Sequence, residues 1–344
     1  MVFILSKHKQ VFYFPFKSPQ NGYLELMQGA WSDLGFDIAD VRNIWRLKSM
    51  RSHSGSIVVL NWFEENVARK SENSLLAWPL FVLKFRMLKL FGLKIICVRH
   101  NRRPVDEVSK QHIKVFNKAV KYLEDQSDAV IMHSEIEAHK LGVNYVPHPM
   151  YPIVDAKNKT SEKQQHYLVF GKIKRYKQVD KLLTVWPLNT PLLLAGEVED
   201  ESYAGELKAL CDSRGLDVQF DFQRVSDDKL NRYFESSKTV VIPYVDSCCI
   251  ASGALIHALS AGLPIVTLKS YFSLSLKNTG LNIYFFEDKE TLLKTLNSMS
   301  DLQVEKQDPD LLSELLGKLA VKKSLQKVLN QLNVDIHQNG NKTC

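Results

Sequence analysis

Four cations crowd into six residues just after a glycine. Lys172, Lys174, Arg175 and Lys177 follow Gly171 in the run Phe170-Gly-Lys-Ile-Lys-Arg-Tyr-Lys-Gln-Val-Asp180. The apolar residues before Gly171 read as a strand, and those after Lys177 as a helix. Without a Cβ, Gly171 lets the backbone come close to a ligand. Cations at a strand-to-helix turn suit a diphosphate, whose oxygens accept charge-assisted hydrogen bonds worth about 1.5–3 kcal/mol each. An exposed basic loop has the same composition. A second run leads a strand through Pro243 and Tyr244 into a small-residue loop, and Ser252-Gly253-Ala254 then opens an apolar helix. Ser252 has the character of an N-cap, and the N–H groups that follow it make an anion site. The helix dipole adds about 0.3–1 kcal/mol. A well-capped core helix asks for the same small residues. Tyr244 either lines such a pocket or packs in the core.

Proton-transfer chemistry falls to the first half. Glu64 comes just after an apolar strand at residues 56–60, where a carboxylate can deprotonate a hydroxyl. A helix-initial acid that stabilises the dipole fits the same place. His100 ends the next apolar run and can contact a phosphate or a hydroxyl, or cap local backbone. Asp106 is a second candidate base and also suits a helix start.

These residues need strand ends to hold them. Short apolar runs at residues 11–16, 56–60, 94–98 and 129–132 alternate with helical spacing at 21–34, 75–93 and 109–124. Residues 155–165 are polar and aperiodic. The alternation then resumes, with strands at 167–170, 191–195, 218–222, 239–242 and 264–267 and a helical tail at 310–332. Apolar runs alternating with amphipathic helices are the signature of parallel βαβ units. The expected organisation is α/β: residues 1–150, a linker at 151–165, a second domain at 166–315 and a C-terminal helix and tail at 316–344. Ligands in such sheets bind at the carboxyl ends of the strands.

A length of 344 residues agrees with two domains, and 45% hydrophobic with 24% charged residues excludes a disordered or fibrous chain. The cysteines, Cys97, Cys211, Cys248, Cys249 and Cys344, are odd in number and form no CxxC pair. A disulfide framework or zinc site is not expected, and a reducing cytosol fits. The absence of G-x-G and of GxxxxGK[ST] removes the dinucleotide and P-loop readings. The net charge of +7 is unevenly spread: residues 84–121 hold eleven Lys/Arg against Asp106 and Glu107. That field attracts phosphates or an anionic membrane, or is simply a solvated face. Lys84, Arg86 and Lys89 interrupt the apolar segment 75–93, so it is not read as a spanning helix. Leu76, Leu80, Leu83, Met87 and Leu90 form one stripe there, and Trp78, Phe81, Phe85 and Leu88 a second flank. Such a helix packs on a sheet or rests among lipid headgroups.

The second half resembles the donor half of GT-B glycosyltransferases. Within these it is most similar to family-4-like bacterial exopolysaccharide enzymes of the xanthan mannosyltransferase type. Gly171, Ile173, Tyr176, Lys177, Val179 and Asp180 meet the form G-x-I-x-x-Y-K-x-V-D. Pro243-Tyr244 and Ser252, Gly253, Leu255, Ala258, Leu259, Ser260, Gly262 and Pro264 meet P-Y, a short loop, then S-G-x-L-x-x-A-L-S-x-G-x-P. The first half matches more loosely. His100-Asn101 with Pro104 and Asp106 resembles H-N-x-x-P-H-[ED], and Asn61-Trp62-Phe63-Glu64 resembles H-W-P-E. His133-Ser134 resembles H-S, and Pro147-His148-Pro149 resembles P-H-G. Val105, Asn61 and Pro149 depart from those forms. Two glutamates eight apart in many relatives fall here on Cys249 and His257, so the resemblance does not extend to the retaining chemistry of that pair.

The resemblance implies two Rossmann-like, doubly wound domains facing across a cleft, with the last helix returning to the first domain. It implies transfer of a hexose from a nucleoside diphosphate sugar to a saccharide, lipid-linked acceptor in exopolysaccharide, capsule or lipopolysaccharide assembly. The diphosphate would be held by Gly171, Lys172, Lys174, Lys177, Ser252, Gly253 and Ala254, with Tyr244 and His257 in the donor pocket. Glu64, His100 or Asp106 would act on the acceptor. No cofactor or metal is expected, because cations and helix amides stabilise the leaving diphosphate. The expected location is cytoplasmic, peripheral to an anionic inner membrane face, without nucleic acid. A sugar-nucleotide epimerase and a non-catalytic nucleotide-sugar or glycan binder are the alternatives.

Overall fold

A computed structural model describes residues 10–18, 22–45, 53, 55–71, 75–104, 108–152, 166–244, 248–301 and 305–334. The chain divides into two compact units. One lies within Met1–Pro149, Ser247–Ala251 and Leu316–Cys344, the other within Met150–Asp246 and Ser252–Leu315.

The strands of the first unit are β1 (Gln10–Phe14), β2 (Asp37–Asp40), β3 (Ile57–Asn61), β4 (Lys94–Val98), β5 (Ala129–Met132) and β6 (Asn144–Tyr145). They form one parallel sheet in the order β2-β1-β3-β4-β5-β6. The helices between them are α1 (Tyr23–Ser32), α2 (Phe63–Ser71), α3 (Ala77–Leu90), α4 (Lys110–Gln126) and α5 (Glu135–Leu141). Side chains alternate across a strand, so each inner strand feeds two cores. Val11, Ile57, Val59, Ile96 and Val98 join Trp31 of α1 on one face. Phe12, Val58, Leu60, Ile95 and Cys97 join Phe81, Phe85 and Leu88 of α3 on the other. Burial on both faces explains why these strands read as unbroken apolar runs.

The second unit holds β7 (His166–Phe170), α6 (Val179–Val185), β8 (Leu192–Ala195), α7 (Glu201–Arg214), β9 (Val218–Asp221), α8 (Asp227–Ser236) and β10 (Ser237–Ile242). It continues with α9 (Gly253–Ser260), β11 (Ile265–Leu268), α10 (Tyr271–Ser275), β12 (Ile283–Phe286), α11 (Lys289–Asp301) and α12 (Pro309–Leu316). Its parallel sheet has the order β12-β11-β10-β7-β8-β9. Polar caps start its helices: Asp200 accepts from Tyr203 N–H, Ser226 from Lys229 N–H and Ser252 from Leu255 N–H. Each cap is worth about 1 kcal/mol. The chain then returns to the first unit as α13 (Lys318–Gln331), whose Val321, Leu325, Val328 and Leu329 complete the core around Trp31.

Several elements differ from the sequence reading. The tail is two helices, because Gly317 separates α12 from α13. A separate helix, α2, precedes α3. The flank Phe81, Phe85 and Leu88 is the buried face of α3, whereas Leu76, Leu80, Leu83 and Leu90 of the regular stripe are exposed. The basic run 84–121 is not one surface, since β4 passes through the core inside it. Arg99 pairs with Glu124 and Arg102 with Glu137, while Lys110, Lys114, Lys118 and Lys121 are exposed on α4. Most of the expected linker, from residue 153 on, lies outside the described residues.

Candidate functional site

In the second unit the sheet runs outward from β7 on one side and from β10 on the other, so the strand order reverses between them. The crevice beyond the carboxyl ends of two such strands is where doubly wound sheets bind ligands. Gly171 leaves β7 with φ +87°, a conformation suited to glycine. A Cβ at this position would lie 3.5 Å from Lys177 Nζ, an ordinary contact distance, so the ammonium sits directly against the Gly171 backbone. Lys177 is buried, and its Nζ is 5.1 Å from the ring centre of Tyr244, two residues beyond β10. One cation and one glycine are thereby fixed at the switch point.

The neighbouring cations point elsewhere. Lys172 Nζ lies 3.1 Å from Glu199 and Lys174 Nζ 3.3 Å from the same carboxylate, which they hold below its usual pKa. Arg175 pairs with Asp200 and Glu206. Exposed ion pairs of this kind contribute about 0–1 kcal/mol and exchange partners readily.

On α9, the Ser252 Oγ satisfies one of the N-terminal amides by accepting from Leu255 N–H at 3.2 Å, and its carbonyl accepts from Ile256 N–H as the first bond of the helix ladder. The N–H groups of Gly253 and Ala254 come before these, at the positive end of the helix. A Cβ on Gly253 would lie 3.3 Å from the Tyr151 hydroxyl. Tyr151 stacks on His257 with centroids 4.5 Å apart, and its N–H donates to Ser260. His257 also meets Phe170 and Phe234 at 5.9 and 5.2 Å. Phe170 immediately precedes Gly171, so α9 and the cation loop converge on the end of β7. Burial in this aromatic box lowers the His257 pKa to about 4, and the imidazole is neutral at pH 7.

The first unit reverses its strand order between β1 and β3. A cavity of about 430 Å³ opens there, lined by Phe14, Asn61, Trp62, Glu65, Arg69, Asn101 and His112. Trp62 leaves β3 with φ +49°, a left-handed conformation that tryptophan seldom takes and that costs on the order of 1–3 kcal/mol. It stacks on His100 with centroids 4.0 Å apart. Asn61 Nδ2 donates to the Phe14 carbonyl, so its Oδ1 accepts from His100 Nε2 at 2.9 Å. The proton of His100 is thus on Nε2, and Nδ1 keeps its lone pair. Burial, with His133 and His148 nearby, holds the His100 pKa well below its ordinary value. His133 donates from Nδ1 to the Val146 carbonyl and accepts from Tyr23 at Nε2. Burial lowers His133 to about 4 and His148 to about 3.

Glu64 and Glu65 are adjacent on α2 but face different ways. Glu64 shares the inward stripe with Val67 and Ala68, is 2% exposed, and has one carboxyl oxygen without a hydrogen-bond partner among the described residues. Desolvation raises its pKa to about 7. Glu65 lines the cavity, with Oε1 3.5 Å from Asn101 Nδ2 and Oε2 3.5 Å from His112 Nε2. Of the candidate acceptor residues, the structure therefore sets His100 against Trp62 of the cavity wall, and Glu64 in the interior, off the cavity lining. Asp106 lies outside the described residues. Glu65, Asn101 and His112 escaped the sequence reading as site residues, although the i, i+3, i+4 phase of Glu64, Val67 and Ala68 distinguishes the two glutamates. Gly196 also went unnoticed: at φ +145° its Cβ would fall 2.3 Å from the Gly171 carbonyl oxygen. Cys249 belongs to the first unit, where its carbonyl accepts from Arg102 and its backbone bridges Asn101.

Comparison with known proteins agrees with this geometry. The structure is similar to that of Anabaena HepE in complex with UDP and glucose (TM-score 0.61, 14% identity, 94% of this chain and 99% of that chain). It is also similar to AviGT4, a glycosyltransferase involved in avilamycin A biosynthesis (TM-score 0.59, 13% identity, 94% and 98%). A glycosyltransferase from Rickettsia africae gives 0.58 at 12% identity, over 93% and 84%. At these identities the likeness defines the fold, which is GT-B. No curated protein sequence matches. Residues 152–335, just over half of the chain, match the family Glycosyl transferases group 1, and the chain belongs to that family. It is a glycosyltransferase.

Proposed function

We propose that the second unit binds a nucleoside diphosphate sugar and that its hexose passes to a saccharide hydroxyl bound by the first unit. The observation that carries the donor assignment is the buried Lys177 ammonium against Gly171 at the strand reversal. Lys177 and the amides of Gly253 and Ala254 stabilise the departing diphosphate, supplying electrostatically what a metal ion supplies elsewhere. Lys172 and Lys174 join by exchanging Glu199 for phosphate oxygens, and Tyr244 and His257 line the donor side. UDP and UDP-glucose in the HepE structures support this class of donor.

The first-unit cavity suits a neutral polyhydroxylated ring, with Trp62 and Phe14 as apolar walls and Asn61, Asn101 and Arg69 as hydrogen-bonding groups. Glu65 accepts the proton of the attacking hydroxyl, and His100 positions the ring through Nδ1. The acceptor is carried on a lipid in polysaccharide assembly at the inner face of a membrane. The exposed cations of α3 and α4 favour that location. Among the described residues no helix is long and apolar enough to cross a membrane.

Calorimetry with UDP, GDP and their sugars tests the donor assignment. Lys177→Ala weakens diphosphate binding at least tenfold, the loss of one charge-assisted contact of about 1.5–3 kcal/mol. Unchanged affinity removes the assignment. Donor binding without nucleotide release to any saccharide acceptor would instead favour a non-catalytic binder.

A further inference from the structure

A second cavity, of about 210 Å³, lies under α3 and is unused by the chemistry above. Leu60, Val67, Ala77, Phe81 and Leu88 line it with apolar surface. Trp45, 38% exposed, stands among its lining side chains, with Lys70 and Lys84 as cations and Arg42 already paired with Asp40. The helix above it exposes Leu76, Leu80, Leu83 and Leu90, at 65%, 49%, 54% and 83%. At roughly 100° per residue these four fall on one narrow stripe, with Lys84 and Arg86 about 80° to either side. No acid occurs between Leu75 and Leu93. Soluble surfaces seldom expose such a stripe, and flanking cations with an apolar centre are the pattern of a helix lying in a headgroup layer. Leu80 and Lys84 belong both to the α3 surface and to the cavity lining.

We propose that α3 is the lipid-facing element of this chain, and that the cavity beneath it takes one hydrocarbon chain of an anionic bilayer lipid whose phosphate is held by Lys70 and Lys84. The inference deepens the reading of an acceptor carried on a membrane and rests on it. A protein partner would need carboxylates to meet these cations, whereas a phospholipid brings both the tail for the cavity and the phosphate for its rim.

The experiment uses the full chain and vesicles of phosphatidylglycerol in phosphatidylcholine at physiological salt, with glycosyl transfer to a water-soluble saccharide measured in parallel. Binding should depend on phosphatidylglycerol. Lys70→Gln with Lys84→Gln, both exposed, should weaken it about tenfold or more, since each cation near an anionic surface is worth on the order of fivefold. Lipids brominated along the acyl chain should quench tryptophan fluorescence, and Trp45→Phe should remove much of that quenching. Replacing Leu76, Leu80, Leu83 and Leu90 with Ser should abolish vesicle binding while transfer to the soluble saccharide persists. Equal binding to uncharged vesicles, unchanged binding by the double lysine variant, or a stable dimer that buries α3 in solution overturns the proposal and leaves the transfer reaction standing. Loss of transfer with vesicle binding intact overturns the function and leaves the lipid site.

Discussion

In the first unit the ends of β1 and β3 and the start of α2 bring Phe14, Asn61, Trp62 and Glu65 to the strand reversal. In the second, the loops after β7 and β10 bring Gly171, Lys177 and Tyr244 to the corresponding place. Both sheets are parallel and six-stranded, yet one reversal is walled by aromatic rings and amides with Glu65 and Arg69 of opposite sign among them, and the other holds an ammonium beside bare backbone. The scaffold fixes where a ligand goes, and the loops fix its charge. A neutral sugar ring is served by the first and an anionic diphosphate by the second.

That division can be broken by changing one reversal and reading the other. Glu65→Gln should lower kcat by about 10²–10⁴, the usual contribution of a positioned base, with nucleotide affinity unchanged. A fully active variant returns the role to Glu64, His100 or Asp106. Acid separates the units next. His100, His133 and His148 all have folded pKa values below 6.5, so the unfolded chain binds more protons on acidification and stability falls from pH 6.5 towards 4. His133 and His148, lowered to about 4 and about 3, each account for on the order of 3 kcal/mol. Calorimetry between pH 7 and 4, with hydrogen exchange assigning the transitions, should show the first unit lost before the second, which has His257 as its one strongly shifted imidazole among the described residues. Simultaneous loss would show that the cluster does not set acid stability.

Glu64 opposes this trend. Its raised pKa of about 7 means that the folded chain holds a proton which the unfolded chain releases, so its contribution falls as pH rises from 4.5 to 7. Glu64→Gln should therefore stabilise the first unit at pH 8 by about 3 kcal/mol, read by denaturant titration, and steepen its loss in acid. Loss of turnover without that gain would make Glu64 a participant in the reaction. The smallest effect belongs to Lys172→Ala and Lys174→Ala, each expected to change donor affinity by fivefold or less because an exposed pair is lost first. A change as large as that of Lys177→Ala would remove the distinction between inward and outward cations.

Much of the fold could be read because inner strands such as Ile57–Asn61 and Lys94–Val98 are apolar on both faces and end at turn residues. The α9 region was legible for a similar reason: a cap, a glycine and an apolar helix occur together there. β2 was not, since Asp-Ile-Ala-Asp has little strand character and is held by its pairing with β1. β12 was missed although Asn278 and Gly280 turn the chain just before it, because Ile-Tyr-Phe-Phe is a run of four that alone does not distinguish a strand. The donor residues lie within one loop or one helix start, where spacing carries information. The acceptor residues come from β1, β3, α2 and α4, and only tertiary packing gathers them. The partition of Lys172, Lys174 and Lys177 depended on Glu199, which no local pattern points to.

α13 has one further consequence. Val11, Ile57 and Val59 leave the ribosome before the second unit does, yet the helix that covers them with Val321, Leu325 and Val328 follows that unit. The nascent first unit must wait, with part of its apolar sheet bare, while the whole second unit is synthesised and free to fold. A chain stalled before residue 318 would offer that face to chaperones, whatever the state of its catalytic residues.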